Sequence, residues 1–194
     1  MKNALIIFAR NPVIGKVKTR LAAEAGNDKA FEIYVKLLYH TYGCTKNIPC
    51  EKYLYLTDFK DEDLFDENYR QELQSGKDLG EKMKNAFNDL KRSGFEKILL
   101  IGTDCPELNA EILNQAFDKL DEAEFVLGPA KDGGYYLIGL KENSDSLFEN
   151  ISWSTNEVLE QTIKKIDSIS KNYSLLEQLS DIDDLSDLNR SGFA

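Results

Sequence analysis

Short, unbroken apolar runs recur along this chain, separated by stretches in which apolar residues return every three or four positions. Ala4, Leu5, Ile6, Ile7, Phe8 and Ala9 are consecutive, the pattern of a strand covered on both faces. Runs at 53–57, 98–102, 125–128 and 135–140 predict four more strands. Most of the intervals carry helical spacing. Ala30, Phe31, Tyr34, Leu37, Leu38 and Thr41 fall on one helical face, Met83, Ala86, Phe87 and Leu90 on another, and 108–120 and 156–166 predict two further amphipathic helices. Strands alternating with helices predict an α/β fold, a mainly parallel sheet between helices, with ligands where loops leave the carboxyl ends of the strands. No linker rich in Pro, Gly or Ser and no internal repeat divides the chain, so residues 1–194 are expected to form a single domain.

Composition narrows the function. With 24 Lys and Arg against 34 Asp and Glu, the net charge is −10, which argues against nucleic-acid binding and against acidic membrane surfaces. No apolar run reaches the ~18 residues of a membrane helix, and the run at 4–9 is too short for a signal peptide, so no membrane insertion and a cytoplasmic location are expected. Cys44, Cys50 and Cys105 lack zinc-site or disulfide spacing and are expected to be reduced. The lone His40 has no evident catalytic or metal partner and reads as structural. The segment 58–67, with six carboxylates and Lys60, reads as a solvated loop or helix. Against this acidic background, the first twenty residues hold Lys2, Arg10, Lys16, Lys18 and Arg20 and no acid.

Four of those cations lie in the strongest local signal. Phe8-Ala9-Arg10-Asn11-Pro12-Val13-Ile14-Gly15-Lys16-Val17-Lys18-Thr19-Arg20-Leu21 leaves the first strand, is punctuated by Pro12 and Gly15, and opens a helix. Cations placed there read as a phosphate cradle, with a merely basic surface loop as the alternative. The spacing is neither G-x-x-x-x-G-K-[ST] nor G-x-G-x-x-G. Phe8, Ala9, Arg10, Pro12, Gly15, Lys16, Lys18, Thr19 and Arg20 are the candidate nucleotide- and phosphate-binding residues. A second signal, Gly102-Thr103-Asp104-Cys105-Pro106, delivers a carboxylate at the end of a strand. Asp104 is the leading ligand for Mg²⁺, which takes oxygen donors and bridges carboxylates to phosphates, and it also suits the cap of a helix opening at Pro106. The third signal is Asp132-Gly133-Gly134 between two apolar runs. It fits a hairpin turn, and it fits a ligand site in which Gly133 and Gly134 admit close approach while Asp132, Tyr135 and Tyr136 touch a sugar hydroxyl or stack on a ring. Ser154 or Thr155 suits a helix cap, and Trp153 fits either the core or the wall of an acceptor site.

In order along nearly the whole chain, the loop 8–21, Asp78-Leu79-Gly80-Glu81-x-Met83, Gly102-Thr103-Asp104-Cys105-Pro106, Gly128-Pro129-Ala130-x-Asp132-Gly133-Gly134-Tyr135-Tyr136-Leu137-Ile138-Gly139 and Trp153-Ser154-Thr155 resemble a family of bacterial nucleotide-diphospho-sugar transferases. Some of its members are labelled glycosyltransferases of arsenosugar biosynthesis. The family resembles a compact branch of the GT-A-type superfamily, which includes the phospholactate and molybdenum cofactor guanylyltransferases. The resemblance implies a three-layer α/β/α Rossmann-like fold with a mainly parallel mixed sheet, a first loop around the nucleotide and its diphosphate, and a divalent metal on Asp104. Guanylyltransferase relatives often carry a late Asp-x-Asp before a short helix; Asp181-Ile182-Asp183 resembles it and adds Asp181 and Asp183 as metal ligands. Two departures stand out: the first loop lacks a Gly-Gly pair, and Asp104 sits in Thr-Asp-Cys where many glycosyltransferases have Asp-x-Asp.

The leading expectation is a glycosyltransferase that holds a nucleotide-diphosphate sugar between Lys16, Lys18, Arg20 and a Mg²⁺ or Mn²⁺ ion on Asp104. Asp104 and Asp132 are the catalytic candidates, Asp132 orienting the acceptor or acting as a base, and Gly133, Gly134, Tyr135 and Trp153 are the candidate substrate-binding residues. One alternative is nucleotidyl transfer to a small phosphorylated acceptor, with Asp104, Asp181 and Asp183 around two metals; another is a non-catalytic nucleotide-binding module. The expected partners are a nucleotide or nucleotide-diphosphate sugar and a small-molecule acceptor, with no nucleic acid. The base, the sugar, the acceptor and the oligomeric state are open at this stage.

Overall fold

The computed structural model describes residues 2–142 and 145–193; Met1 and Ala194, the two ends of the expected domain, lie outside the described residues. Among the described residues, seven strands form one sheet: β1 (Asn3–Ala9), β2 (Glu51–Leu56), β3 (Tyr69–Leu73), β4 (Lys97–Ile101), β5 (Phe125–Pro129), β6 (Tyr135–Leu140) and β7 (Tyr173–Leu175), in the order β3-β2-β1-β4-β6-β5-β7. Only β6 runs antiparallel to its neighbours. The helices are α1 (Thr19–Ala25), α2 (Asn27–Thr45), α3 (Leu79–Arg92), α4 (Ala110–Glu122), α5 (Val158–Ser168) and α6 (Leu185–Ser191).

Alternation along β1 builds the layers. Leu5, Ile7 and Ala9 join Tyr34 and Leu38 of α2 and Ile112, Leu113 and Ala116 of α4 on one face. Ala4 and Ile6 join Met83, Ala86, Phe87 and Leu90 of α3 and Ile166 of α5 on the other. Each fully buried Leu, Ile or Phe contributes ~1.5–3 kcal/mol relative to exposure. The three-layer α/β/α arrangement with a mainly parallel, mixed sheet is therefore observed as expected. A separate cluster of Leu21, Ala30, Ile33 and Leu37 receives Ile182 and Leu188, which docks the last part of the chain on the first two helices.

All five expected strands are present. β3 and β7 went unread because they are edge strands: β3 buries only Tyr69 fully, β7 has three residues, and neither contains an apolar run. Two expected caps are corrected. α4 starts at Ala110, and its cap is Asn109, whose side chain accepts from Ile112 N at 3.0 Å, so Asp104 is free of capping duty. α5 follows Glu157 and has no side-chain cap; Thr155 Oγ1 donates to Ser152 O at 2.7 Å instead, and Ser154 takes a positive φ of 64°. Among the described residues, no helix is long and apolar enough to cross a membrane.

Strand order reverses between β1 and β4, and in open α/β sheets the crevice outside the carboxyl ends at such a reversal is where ligands bind. The loops after β1 and β4 both emerge there. Because β6 is antiparallel, its start meets the same edge, Leu137 pairing with Ile101 and Tyr135 with Pro129. The chain after β7 comes back to this edge as well: Lys131 N donates to Leu179 O at 3.0 Å, and Ile182 N to Asp104 O at 3.0 Å.

Candidate functional site

The loop between β1 and α1 is held from beneath by side chains that the sequence reading did not single out. The Tyr34 hydroxyl, buried on α2, accepts from Arg10 N and donates to Arg10 O, both at 2.8 Å. Burial, followed by the charge of Asp104, pushes that hydroxyl's pKa up, so it stays a neutral donor. Asn11 is only 2% exposed; its Oδ1 accepts from Asp58 N at 2.9 Å and its Nδ2 donates to Phe59 O at 2.8 Å, which ties this loop to the one after β2. Gln74 Nε2 adds a bond to Ala9 O at 3.2 Å. These contacts satisfy backbone groups that a loop would otherwise leave open. The sequence shows an Asn in this loop but not its burial, because its partners are 47 and 48 positions away.

On this base, Arg10, Lys16, Thr19 and Arg20 are exposed, while Phe8 and Ala9 turn into the core and Phe8 meets Tyr55 at a ring separation of 5.7 Å. Gly15 adopts φ +80°, and Lys16 N closes a turn on Val13 O at 3.0 Å. Pro12 faces a shallow apolar cavity formed with Phe31, Leu38 and Phe65.

Lys18 departs from its neighbours. It adopts a left-handed backbone, φ 46° and ψ 49°, immediately before α1, and its side chain is 5% exposed. Its Nζ lies 2.5 Å from Asp104 Oδ1, 2.6 Å from Ile182 O and 3.4 Å from Asp183 Oδ1. An ammonium has three donors, and here it meets three acceptors. The left-handed backbone costs ~1–2 kcal/mol for a non-glycine residue, and a charge-assisted contact of this kind offsets it. Lys18, expected at the substrate phosphate, here directs its charge to the protein's own oxygens. Arg20 differs, since its guanidinium is 74% exposed and 3.8 Å from Asp183 Oδ2.

Asp104 stands at the end of β4, close to half exposed, and segment 180–184 runs across it. Ser180 N donates to the Glu107 carboxylate at 3.0 Å, and Asp183 N to Asp187 Oδ2 at 3.0 Å. Asp184 caps α6 in a reciprocal box with Asp187. Asp181 points inward, with an Oδ1 that is buried and unpartnered. Burial, together with the charges of Asp104, Asp132 and Asp183 against the opposing Lys18, pushes its carboxyl up to about 7. Burial pushes the neighbouring Cys105 thiol up to about 12, which makes it unreactive.

The 130–134 turn brings Asp132 to the same edge. Asp132 is exposed, and its Oδ1 accepts from Gly134 N at 2.8 Å, so the hairpin reading is correct. Gly133 is explained by packing: at φ +91°, an added Cβ would lie 2.1 Å from Asn156 O, and Gly133 O accepts from Leu159 N at 2.9 Å. Of the residues expected to bind substrate, Tyr135 buries its hydroxyl beside Thr162, and the half-buried Trp153 packs its indole against Gly80 at the start of α3. Tyr136 is likewise buried and donates to Glu177 O at 3.0 Å.

Nor do the carboxylates fit a protein-held divalent ion. Among the described residues, no group of three or more His, Cys, Asp or Glu side chains could hold a metal. Asp104 and Asp183 share one ammonium, and the carboxyl of Asp181 is pushed up to about 7.

A family model described as "Uncharacterized protein conserved in bacteria (DUF2064)" matches residues 41–155, more than half of the chain. Among solved structures, a Desulfovibrio desulfuricans G20 protein provisionally named a nucleotide-diphospho-sugar transferase superposes with a TM-score of 0.92 and 28% identity, over 97% of this chain and 86% of that one. The 4-diphosphocytidyl-2C-methyl-D-erythritol synthase of Anaerococcus prevotii DSM 20548 gives 0.65 at 13% identity, over 98% and 94%. Rv0371c of Mycobacterium tuberculosis H37Rv, solved in complex with manganese, gives 0.58 at 14%, over 98% and 97%. The last two share the fold alone. No curated protein matches the chain.

Proposed function

We propose, from the premise that the chain belongs to the DUF2064 family of bacterial proteins, that it is a transferase acting on a nucleotide-diphosphate sugar. The observation that carries this reading is the basic loop at the strand-order reversal, where Arg10, Lys16 and Arg20 are exposed and Lys18 of the same loop pairs with the carboxylate of Asp104. A diphosphate seated there gains negative charge as the bond to the sugar breaks, and cations already in place stabilise that change more than the ground state. Asp132, exposed on the same edge, is the group that orients the acceptor hydroxyl or takes its proton. Loss of one cation contact that strengthens in the transition state costs ~10²–10³ in rate. No step in this scheme uses a protein-held metal.

Nucleotidyl transfer is the competing reading, supported by the fold shared with the diphosphocytidyl-methylerythritol synthase. The deciding experiment incubates the protein with nucleoside diphosphates, nucleotide-diphosphate sugars and nucleoside triphosphates, following thermal stability, release of nucleoside diphosphate and release of pyrophosphate. Stabilisation by diphosphates with nucleoside diphosphate released from a sugar donor is expected. Pyrophosphate from a triphosphate with sugar donors inert replaces this reading by the second, and no stabilisation by any nucleotide removes both.

A further inference from the structure

We infer that the ring of Phe59 is the platform on which the flat base of the nucleotide stacks, and that the buried side chain of Asn11 sets it there. This rests on the function proposed above and adds to it the residue that tells a nucleotide from a bare diphosphate.

Large apolar side chains are exposed unevenly on this surface. Seven are exposed among the described residues, and four of them, Ile14, Phe59, Leu73 and Leu79, lie on the loop after β1, the loop after β2, the end of β3 and the start of α3. Because β3, β2 and β1 are parallel neighbours, all four stand at the carboxyl side of adjacent strands, the side where Arg10, Lys16 and Arg20 are exposed. Apolar side chains scattered singly over a surface are ordinary; four collected where such a sheet binds its ligands are not. Phe59 is the one aromatic residue of the four. It is 48% exposed, and it joins none of the three buried apolar clusters.

Asn11 gives this unsupported ring a fixed place. Its amide holds both main-chain groups of Phe59: Oδ1 accepts from Phe59 N at 3.4 Å, and Nδ2 donates to Phe59 O at 2.8 Å. The same Oδ1 accepts from Asp58 N at 2.9 Å, and Asn11 N donates to Thr57 Oγ1 at 3.4 Å. Thr57 Oγ1 donates in turn to Asp58 Oδ2 at 2.9 Å, which gives that carboxylate a partner within the turn. These bonds lie out of water, and losing one would leave a buried polar group unpaired. Asn11 directly follows Arg10, whose N–H and C=O are both held by the Tyr34 hydroxyl. One buried amide therefore fixes the spacing between the main chain that carries Arg10 and the main chain that carries the ring.

The chemistry of the ligand matches this arrangement. A nucleobase is flat and aromatic, and every base has a π-face that an aromatic side chain can take by stacking. Base and diphosphate belong to one molecule, so a ring held at a set distance from the cations engages both ends of the same ligand. Inorganic pyrophosphate offers the cations their charge and offers Phe59 nothing.

The test is calorimetry on the full chain with two kinds of probe, inorganic pyrophosphate and the nucleoside diphosphates ADP, GDP, CDP and UDP, the tightest of which is carried forward. Phe59→Ala is expected to weaken that nucleotide about tenfold, the value of one base stacked on an aromatic ring, and to leave pyrophosphate affinity unchanged. Phe59→Trp, which keeps a ring, should retain the nucleotide affinity. Asn11→Ala should lose a similar factor for the nucleotide, and Phe59→Ala placed in that background should add little, because the two residues act as a unit. Circular dichroism reports folding, and Asn11→Ser takes the place of Asn11→Ala in the cycle if the latter is unstable. Unchanged nucleotide affinity in Phe59→Ala, or equal losses for nucleotide and pyrophosphate, overturns the platform and spares the proposed function. A further tenfold loss on adding Phe59→Ala to the Asn11 variant overturns the role of Asn11. Wild-type protein that binds pyrophosphate as tightly as every nucleotide also overturns the platform, whereas wild-type protein that binds no nucleotide removes the proposed function and the platform with it.

Discussion

Asp181 gives the sharpest test of the electrostatics at this edge. Its Oδ1 is buried without a partner, and burial with the charges of Asp104, Asp132 and Asp183 raises its carboxyl from 3.8 to about 7 despite Lys18. In the unfolded chain the group ionises near the ordinary value. Below about pH 4, both states hold the proton and the group adds nothing to stability. Between about pH 4 and pH 7, the folded state keeps a proton that the unfolded state has released, so stability falls as pH rises, and above pH 7 the loss is constant. At ~1.4 kcal/mol for each tenfold in proton affinity, the loss reaches about 4 kcal/mol, an upper bound because the side chain retains some solvent contact. Asp181→Asn keeps the shape and removes the titration. Relative to wild type, the variant should gain up to about 4 kcal/mol between about pH 4 and pH 8, whatever constant offset the amide introduces. For a chain of this size, that corresponds to a change of ~8–16 °C in the difference between the two Tm values. Thermal melts of both proteins across this range, followed by circular dichroism, measure it. A Tm difference that does not change with pH refutes the claim that the fold holds Asp181 protonated.

Other residues make separate predictions. Tyr34→Phe deletes the hydroxyl that bonds both Arg10 N and Arg10 O, so urea unfolding should show a loss of about 1–3 kcal/mol, together with a smaller nucleotide-induced thermal shift. Gly133→Ala must relieve both a φ of +91° and a Cβ placed 2.1 Å from Asn156 O, and should cost ~2–4 kcal/mol in chemical denaturation; a neutral result would show that the turn moves freely off α5. Lys16→Ala, at an exposed position, should leave stability within ~0.5 kcal/mol. It should nevertheless weaken nucleoside diphosphate binding about tenfold by calorimetry, the value of one charge-assisted contact, and unchanged affinity would exclude Lys16 from the phosphate site.

By itself, the sequence determined the interior of the sheet and the helices that cover it. β1, β4, β5 and β6 are buried on both faces, so their residues have to be apolar in succession, and α3 and α4 must present an apolar stripe to the sheet. Residue order also put the basic loop and Asp104 at the carboxyl ends of β1 and β4, since each directly follows an apolar run. Edge strands escaped because one exposed side and a paired edge impose no such pattern.

Only the tertiary structure decided which charges face a ligand and which face one another. Lys16, Lys18 and Arg20 look equivalent in a line of residues, yet Lys18 alone turns inward, onto Asp104 and onto Ile182, 164 positions further along. Tyr135 and Trp153 looked equally able to line a substrate, and they pack beside Thr162 and Gly80 instead. The physical reason lies in the range of the forces involved. Apolar periodicity answers to the nearest sheet or helix face and repeats within a few residues, so it is written locally. The partner of an ion or a ring is whatever the folded chain brings within a few ångströms, and that depends on strand order and on where the last segment docks.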